Sequence, residues 1–276
     1  MEKLPYINLG CGAKFNERWV NVDFTSTGKD VIAYNLTKGI PFKDNTFKVA
    51  YHSHVLEHFT KDGAEQFIAE CYRILQPDGI LRIAIPDLEA IARNYIKYLD
   101  ASLANDASAK EKYNWTMLEM YDQVVRSKGG GEMIDYIMDE TKNNDAFLIE
   151  RNGDEIKKLF TTFRNVKEEA APVVQNSTRF SLSGLKSRVK NKLIRMLLKE
   201  DVNALNIGQF RLGGEIHQWM YDRYSLGELL KKHGFKDPTV VTATESKIPE
   251  WNSFNLDMMD GKIRKPDSLF MEAQKK

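Results

Sequence analysis

The sequence predicts an α/β protein built on a parallel sheet, and three observations support this fold class. Over residues 1–100, short apolar segments with strand composition alternate with segments of helical periodicity. The alternation returns over residues 216–276, whereas residues 101–215 are helical in period and poor in strand signals. Strands that alternate with helices favour parallel pairing through crossover connections. We therefore predict one α/β domain, residues 1–100 and 216–276, interrupted after strand five by a mostly helical insertion, residues 101–215.

Seven strands are predicted, five before the insertion and two after it. Each is an apolar or β-branched segment bounded by turn residues. Only Ala13–Arg18 separates the first two strands. A crossover helix needs about ten residues or more, so we expect a loop there. The predicted strands are Tyr6–Leu9, Trp19–Asp23, Val31–Leu36, Phe47–His52, Ile80–Ile85, Thr239–Thr244 and Ser268–Ala273.

Capping residues predict where the helices of the α/β part begin. Asp62, followed by Glu65, forms a capping-box pattern before an amphipathic segment. Asp87 is a suitable N-cap for the helix after strand five, and Ser225 begins a further capping box. That last helix ends at Gly234, in the position that favours a left-handed residue. Within the insertion, helices are predicted over Tyr113–Arg126 and Lys186–Lys199.

Composition excludes several classes of protein. The chain has 276 residues, of which 42% are hydrophobic, and a formal net charge of +1. This balance excludes intrinsic disorder and argues against a nucleic-acid binder that relies on bulk positive charge. Cys11 and Cys71 are the only cysteines, which excludes a disulfide scaffold and favours a reducing compartment. With neither a signal-peptide pattern nor a long apolar run, we predict a cytoplasmic protein.

A glycine loop follows the first strand. Gly10 and Gly12 would let the backbone approach a ligand closely, and Asp23 ends the second strand, where a carboxylate could hold both hydroxyls of a ribose. A dinucleotide fingerprint requires a third glycine and an acid about 20 residues on, and this chain has neither. The simpler interpretation is a tight turn with a surface aspartate. The order of the later elements favours the ligand loop.

Six segments carry a resemblance to a known family. They are INLGCGAKF, WVNVD, GIPFKDNTFKVAYHSHVLEHF and LQPDGILRIAIPD in the α/β part, then GEIHQWMYDRYSLGELLKKHGF and KPDSLFMEA. The first four resemble the type-11-like group of class I S-adenosylmethionine-dependent methyltransferases, and the last two are similar to a subgroup found with bacterial surface-polysaccharide biosynthesis. The resemblance implies a Rossmann-like, seven-stranded, doubly wound sheet with an antiparallel last strand and helices on both faces. It also implies S-adenosylmethionine as cofactor.

The resemblance assigns cofactor contacts to particular positions. Gly10 and Gly12 would approach the methionine part of the cofactor, and Asp23 would bind the ribose hydroxyls. Ser53 and His54, after strand four, would line the methionine end.

Other positions of the implied site differ from the family pattern. Leu36 would lie near the adenine, and Asn35 stands where an aspartate often precedes the adenine loop. Asn8 occupies a position where an acid is usual, and Lys14 one where a third glycine is common. Asn8, Asn35 and Cys11, which lies between the two glycines, complete the predicted cofactor site.

A histidine-rich string follows strand four. His54, Glu57 and His58 form the pattern H-x-x-E-H, a zinc-binding signature of one protease class. A closed site needs another ligand, and the sequence does not single one out. We therefore predict no metal, with His54 lining a pocket and His58 capping or packing in a helix.

Methyl transfer to a hydroxyl needs alignment and a base. His54, Asp87 and His217 are the candidate catalytic residues, since each lies near the sheet edge where ligands bind or where the chain returns from the insertion. Each also has a structural interpretation: His54 would only line the pocket, Asp87 would only cap a helix, and His217 would be a packed structural histidine. Trp219 and Tyr221 would stack on a sugar or lie in the core, and the core is favoured for Trp219.

The insertion contains a basic stretch. No acidic residue occurs from Ala170 to Lys199, and apolar residues recur there at helical spacing. The helix over residues 186–199 would contact an anionic membrane surface, bind phosphates of a nucleotide sugar, or pack with a solvated basic face. We expect the insertion to form a lid or acceptor wall over the sheet edge. The positive residues are Arg179, Lys186, Arg188, Lys190, Lys192, Arg195 and Lys199.

The sequence thus predicts an S-adenosylmethionine-dependent methyltransferase that O-methylates a sugar hydroxyl on a glycan or its precursor. The acceptor could be lipid-linked, with the protein peripheral at the inner membrane surface, and no nucleic acid is expected as a partner. A catalytically degenerate binding module and an NAD-dependent oxidoreductase are the alternatives.

Overall fold

A computed structural model of the chain describes residues 3–164 and 201–276. The helix predicted over Lys186–Lys199, and the basic stretch that contains it, lie outside the described residues.

Seven strands form one sheet in the order β3-β2-β1-β4-β5-β9-β6. β9 lies between β5 and β6 and is antiparallel to both, and the other pairings are parallel. The predicted Rossmann-like sheet with an antiparallel last strand is therefore confirmed. The strands are β1 (Tyr6–Leu9), β2 (Val20–Asp23), β3 (Val31–Ala33), β4 (Phe47–Ser53), β5 (Leu75–Pro86), β6 (Phe235–Val241) and β9 (Ser268–Lys275), with a separate hairpin of β7 (Met258–Met259) and β8 (Lys262–Ile263).

Eight α-helices are described. α1 connects β4 to β5, α2 follows β5, and α8 precedes β6. The connection between β1 and β2 is a loop, as the short spacing predicted. The helices are α1 (Lys61–Ile74), α2 (Leu88–Leu103), α3 (Ala109–Val125), α4 (Gly131–Met138), α5 (Asp145–Asn152), α6 (Asp154–Arg164), α7 (Val202–Arg211) and α8 (Arg223–Lys232).

The larger hydrophobic core covers one face of the sheet. Apolar side chains of β1, β4, β5 and β9 pack there against Phe67 and Ile68 of α1 and Leu226 and Leu230 of α8. All four helical residues are almost fully buried. Leu226 and Leu230 are one helical turn apart, and Phe67 and Ile68 belong to the buried series Ala64, Phe67, Ile68 and Cys71 at spacings of three and four residues, which explains why these sequences form amphipathic helices on this face.

The other face of the sheet carries an aromatic cluster. Trp19 and Tyr51 pack against Trp251 and Phe254 of a short 3₁₀ helix, Trp251–Phe254, with mostly edge-to-face rings. No residue of this cluster belongs to an α-helix. In the described residues, a single 3₁₀ turn and its flanking loops therefore cover the strands where the resemblance implied helices.

A buried ionic network joins this cover to the sheet. The guanidinium of Arg82 on β5 lies 2.8 Å from both Asp257 and Glu272, and it also donates to the backbone carbonyls of Thr242, Ala243 and Glu245. All its donors are thus satisfied in a site that water does not reach.

Two predicted helix starts were wrong. α1 is capped by Thr60, whose Oγ1 accepts from the Gly63 amide, rather than by Asp62. α8 begins after Asp222, which forms a capping box with Ser225, so the predicted capping residue occupies the third position of the helix. The predicted end at Gly234 is confirmed by its φ of +92°.

The helices α3 to α6 pack around a hydrophobic cluster of their own, centred on the fully buried Trp115. Its other buried members are Tyr136, Ile137, Leu148 and Ile156. Among the described residues, no helix combines the length and apolar character needed to cross a membrane.

Candidate active site

The glycine loop lies between the ends of β1 and β4. Gly10 and Gly12 have φ of +66° and +53°, a region that favours glycine. A Cβ on Gly10 would lie 2.4 Å from Val55, whereas a Cβ on Gly12 would meet no atom within 4 Å. The Gly12 amide donates to Oδ2 of Asp23 over 2.7 Å, so the end of β2 holds the loop in place.

A cavity of about 300 Å³, here called the cofactor cavity, opens beside this loop. It collects six of the nine residues predicted to bind the cofactor, and none of the other three lines it. The six are Asn8, Gly10, Cys11, Gly12, Ser53 and His54.

Three residues of the glycine-loop region that line the cofactor cavity are Asn8, Cys11 and Lys14. Asn8 is buried and donates to the Lys14 carbonyl over 3.1 Å. Burial raises the pKa of the Cys11 thiol to about 12, so the thiol is uncharged at neutral pH. Burial and the nearby guanidinium of Arg264 lower the pKa of Lys14.

Distant parts of the chain complete the cavity wall. Arg264, which follows β8, donates to Ser53 Oγ over 3.0 Å and to Glu155 of α6 over 2.9 Å. Lys158 of α6 also lines the cavity. Sequence reasoning missed these residues because nothing in their spacing relates them to the glycine loop, and only the fold brings them together.

The remaining predicted residues are Asp23, which contacts the glycine loop, and Asn35 and Leu36, which have other roles. Asn35 caps a 3₁₀ helix, Leu36–Lys38, by accepting from the Thr37 amide. Leu36 lines a second cavity of about 480 Å³ together with His58 and Phe59. The predicted ribose and adenine positions thus lie outside the cofactor cavity wall.

His54 has an unusual backbone and two polar neighbours. Its φ is +55°, which is uncommon for a residue with a side chain and is often associated with functional sites. Nε2 lies 2.8 Å from Ser268 Oγ, and Nδ1 lies 3.3 Å from Glu57 Oε1. Burial lowers the pKa of His54 well below its usual range, so the imidazole is neutral at pH 7.

A third cavity, of about 260 Å³, lies between the sheet edge and the helices α3 to α6 and is here called the insertion cavity. Its wall includes the polar residues Glu119, Gln123, Asn152 and Asp267. Oδ1 of Asn152 and Oδ1 of Asp267 are buried and have no hydrogen-bond partner in the part of the chain that the structure describes. His54, Glu155 and Lys265 line both the insertion cavity and the cofactor cavity.

The other two catalytic candidates lie elsewhere. Asp87 caps α2 by accepting from the Ala90 amide over 3.1 Å, and it is absent from the walls of both cavities. His217 is buried, and its ring lies edge-to-face on that of His58, with 4.9 Å between centroids. Of the two aromatic residues, Tyr221 lies in the core, but Trp219 is 41% exposed and stacks with Lys61, contrary to the prediction.

The cofactor cavity has features that fit S-adenosylmethionine. The space beside Gly12 leaves room for a ligand against the backbone, and Asp23 stands at the end of the neighbouring strand. Lys14, Lys158 and Arg264 place positive charge where the cofactor's carboxylate could bind. Among the described residues, the ammonium group of Lys14 forms no hydrogen bond or ion pair within the protein.

Comparisons with known proteins support the same class. Residues 8–83 match a sequence-family model described as a methyltransferase domain. No curated protein matches the sequence. The matched residues run from Asn8 to β5 and include the glycine loop, Asp23 and the histidine-rich string.

Solved structures give weaker likenesses. A protein from Thermotoga maritima, described as an S-adenosylmethionine-dependent methyltransferase and possible histamine N-methyltransferase, is 13% identical, with a TM-score of 0.39 over 100% of this chain and 84% of that one. A putative methyltransferase from Listeria monocytogenes is 11% identical, with a TM-score of 0.39 over 100% and 92%.

A methyltransferase from Archaeoglobus fulgidus is 10% identical, with a TM-score of 0.37 over 98% of this chain and 85% of that one. These scores are low, and the assignment rests instead on the family match, the strand order and the glycine loop. The predicted enzyme class and cofactor are confirmed: the α/β part of the chain contains a methyltransferase domain, and its cofactor is S-adenosylmethionine.

Proposed function

We propose that the protein O-methylates a sugar hydroxyl on a glycan or a glycan precursor, with the acceptor bound in the insertion cavity. The observation that carries this proposal is the shared wall: His54, Glu155 and Lys265 line both the cofactor cavity and the insertion cavity. An acceptor in one cavity is therefore adjacent to the cofactor in the other.

The lining of the insertion cavity supports a polyhydroxylated acceptor. Carboxylates accept hydrogen bonds from sugar hydroxyls, amides both accept and donate them, and five such side chains occur in this wall: Glu119, Gln123, Asn152, Glu155 and Asp267. The unpartnered oxygens of Asn152 and Asp267 favour a hydroxyl donor, because a buried acceptor without a partner is costly. Helices α3 to α6 supply much of this wall, which supports the insertion as an acceptor domain over the sheet edge.

Bound cofactor supplies an electrophilic methyl group on a sulfonium. The protein's task is to hold the acceptor oxygen in line with the sulfur–carbon bond and to exclude water. As the new oxygen–carbon bond forms and the sulfur–carbon bond breaks, the hydroxyl proton must leave. His54 lies in the shared wall, so it is the proposed acceptor of that proton, with the 2.8 Å contact between its Nε2 and Ser268 Oγ orienting the ring.

The first experiment is a transfer assay with free, nucleotide-linked and lipid-linked glycans, which detects S-adenosylhomocysteine and the methylated product. We expect product with at least one class, and none with protein or nucleic-acid acceptors. Binding of S-adenosylhomocysteine without transfer to any glycan would favour the degenerate binding module. A thermal shift with NAD but none with S-adenosylhomocysteine would favour the oxidoreductase and contradict the methyltransferase itself.

A matched pair of variants tests the location of the acceptor. Gln123 lines the insertion cavity. Within the described residues its backbone carbonyl accepts a hydrogen bond, but its side chain forms none. Gln123→Ala should raise the KM for the acceptor and leave the affinity for the cofactor unchanged. Gln209→Ala, an exposed position on α7, is the control. An unchanged acceptor KM in Gln123→Ala would exclude this cavity as the acceptor site.

A further inference from the structure

Glu57 is a buried carboxylate whose oxygens accept no hydrogen bond from the described residues. It lies in the 3₁₀ helix Leu56–His58 after β4, and only 1% of it is exposed. Its nearest described basic group is the His54 imidazole, with Nδ1 3.3 Å from Oε1. A buried charge without compensation is costly, so the site needs a cation or a proton.

His58 has one ring nitrogen fixed by the backbone. Nδ1 lies 3.1 Å from the carbonyl oxygen of Ile216. A carbonyl only accepts, so Nδ1 carries the hydrogen, and the lone pair is on Nε2. Metal-binding histidines show this arrangement, in which a carbonyl orients the ring and the other nitrogen coordinates.

His217 is brought to the same place by the segment that returns from the insertion. It is 4% exposed, and within the described residues its ring forms no hydrogen bond. The Gln218 amide donates to the Glu57 carbonyl over 2.7 Å, and the Gln218 side chain donates to the His58 carbonyl over 3.0 Å. These bonds tie the two segments together, so the three side chains are held close by the backbone.

We propose that Glu57, His58 and His217 bind a divalent transition-metal cation such as Zn²⁺. One ligand atom from each residue lies within 4.8 Å of the other two. Ligand atoms of a tetrahedral zinc site are separated by about 3.4 Å, so small side-chain rotations would complete the site. Two imidazoles and one carboxylate leave a coordination position for water or another ligand.

The metal also accounts for the neighbours of the cluster. A divalent cation would compensate the negative charge of the Glu57 carboxylate. Lys265 forms no hydrogen bond with Glu57, and the Lys265 ammonium group instead pairs with Glu155 at 3.5 Å. His54 would be an outer partner of Glu57 rather than a ligand. The sequence analysis predicted no metal here, because the sequence does not single out a further ligand for the H-x-x-E-H string; in the proposed site that ligand is His217, and Glu57 takes the place of His54.

Metal binding can be measured without catalysis, so the test is independent of the proposed acceptor. The full chain is stripped with a chelator and titrated with Zn²⁺ and Mn²⁺ by calorimetry. We expect one equivalent per chain, and an absorption spectrum of four- or five-coordinate Co²⁺ with imidazole ligands. Glu57→Gln and His217→Ala should each weaken binding by about 100-fold or more. His233→Ala, a histidine on the far side of α8, should leave binding unchanged.

Circular dichroism identifies any variant that fails to fold. The cobalt spectrum of the unmodified chain shows, without any variant, whether a metal ion binds with imidazole ligands. No binding at millimolar metal would overturn the proposal, as would binding that survives both substitutions. A protonated-carboxyl infrared band that persists with excess metal and is lost in Glu57→Gln would show that a proton, and not a cation, compensates Glu57.

Discussion

Arg82 on β5 and Glu272 on β9 stand directly opposite each other in the antiparallel pair, with Nη1 of Arg82 2.8 Å from Oε1 of Glu272. Both are almost fully buried, and Nη2 of the same guanidinium lies 2.8 Å from Oδ2 of Asp257. Removal of one member of a buried ion pair leaves the other charge without compensation. The stability of the antiparallel strand therefore depends on this arginine.

The first prediction concerns that arginine. Arg82→Met should lower the free energy of unfolding by about 3–5 kcal/mol, because two carboxylates remain buried without a cation. Urea unfolding measures the change. Lys231→Met, which removes an exposed pair with Glu228, should change stability little. A small effect of Arg82→Met would show that the network is readily replaced by apolar packing.

The second prediction concerns the acid at the end of β2. Asp23→Ala should weaken the binding of S-adenosylhomocysteine at least about 10-fold, because it removes the proposed ribose contact and the 2.7 Å bond from Gly12. Thermal shift reports the affinity, since ligand at about 100 times its Kd adds roughly 2.7 kcal/mol. Asp30→Ala, which affects only a 3.9 Å pair with Lys3, is the control. Equal affinities would remove Asp23 from the cofactor site.

The third prediction separates the two glycines. Gly10→Ala would place a Cβ 2.4 Å from Val55 and should lower the melting temperature without ligand. In Gly12→Ala the new Cβ meets nothing within 4 Å, so the cost is mainly that of a left-handed alanine. Gly12→Ala should mainly lower the affinity for the cofactor, because the new Cβ would occupy space in the cofactor cavity where we expect the ligand to bind. Equal loss of stability in both variants would contradict this distinction.

The fourth prediction concerns His52, a fully buried residue of β4 whose ring nitrogens have no hydrogen-bond partner among residues 3–164 and 201–276. Burial lowers its pKa to about 3. Below about pH 6.5 the unfolded chain binds a proton that the folded chain excludes, so stability falls as pH decreases. Between roughly pH 7.5 and 5.5 this histidine should contribute a loss of about 1.4 kcal/mol.

Urea unfolding of His52→Leu at both pH values tests this contribution. The other histidines are common to both proteins, so the difference in pH dependence isolates His52. Identical slopes of stability against pH in the two proteins would show that the ring is protonated in the folded state or that water reaches it.

Much of the sheet could be predicted because buried strands have a local pattern. Tyr6–Leu9 was predicted with its exact bounds, and β4 differed by one residue. Helix starts were less certain, since Thr60 and Asp62 are both good capping residues within one turn, and tertiary contacts select between them. Local pattern contains no information on that choice.

The candidate site divides in the same way. Residues at the end of a strand or directly after it, such as Ser53 and Gly10, were found because the ends of parallel strands meet at one edge. Arg264 and Glu155 were missed because they reach the site through a hairpin and an insertion helix. His217 was considered as a base, but its place beside His58 depends on how the chain returns from the insertion.

The aromatic cover of the second sheet face has a consequence for synthesis on the ribosome. Trp19 enters the cluster early, but Phe254, which lies 5.2 Å from it between ring centroids, is translated only after the whole insertion. Until Trp251 and Phe254 are synthesised, that face of β1 and β2 lacks its cover. Contacts this distant in sequence also slow folding, because a long loop must close before they form. The aromatic side of the cofactor sheet is therefore completed late in translation.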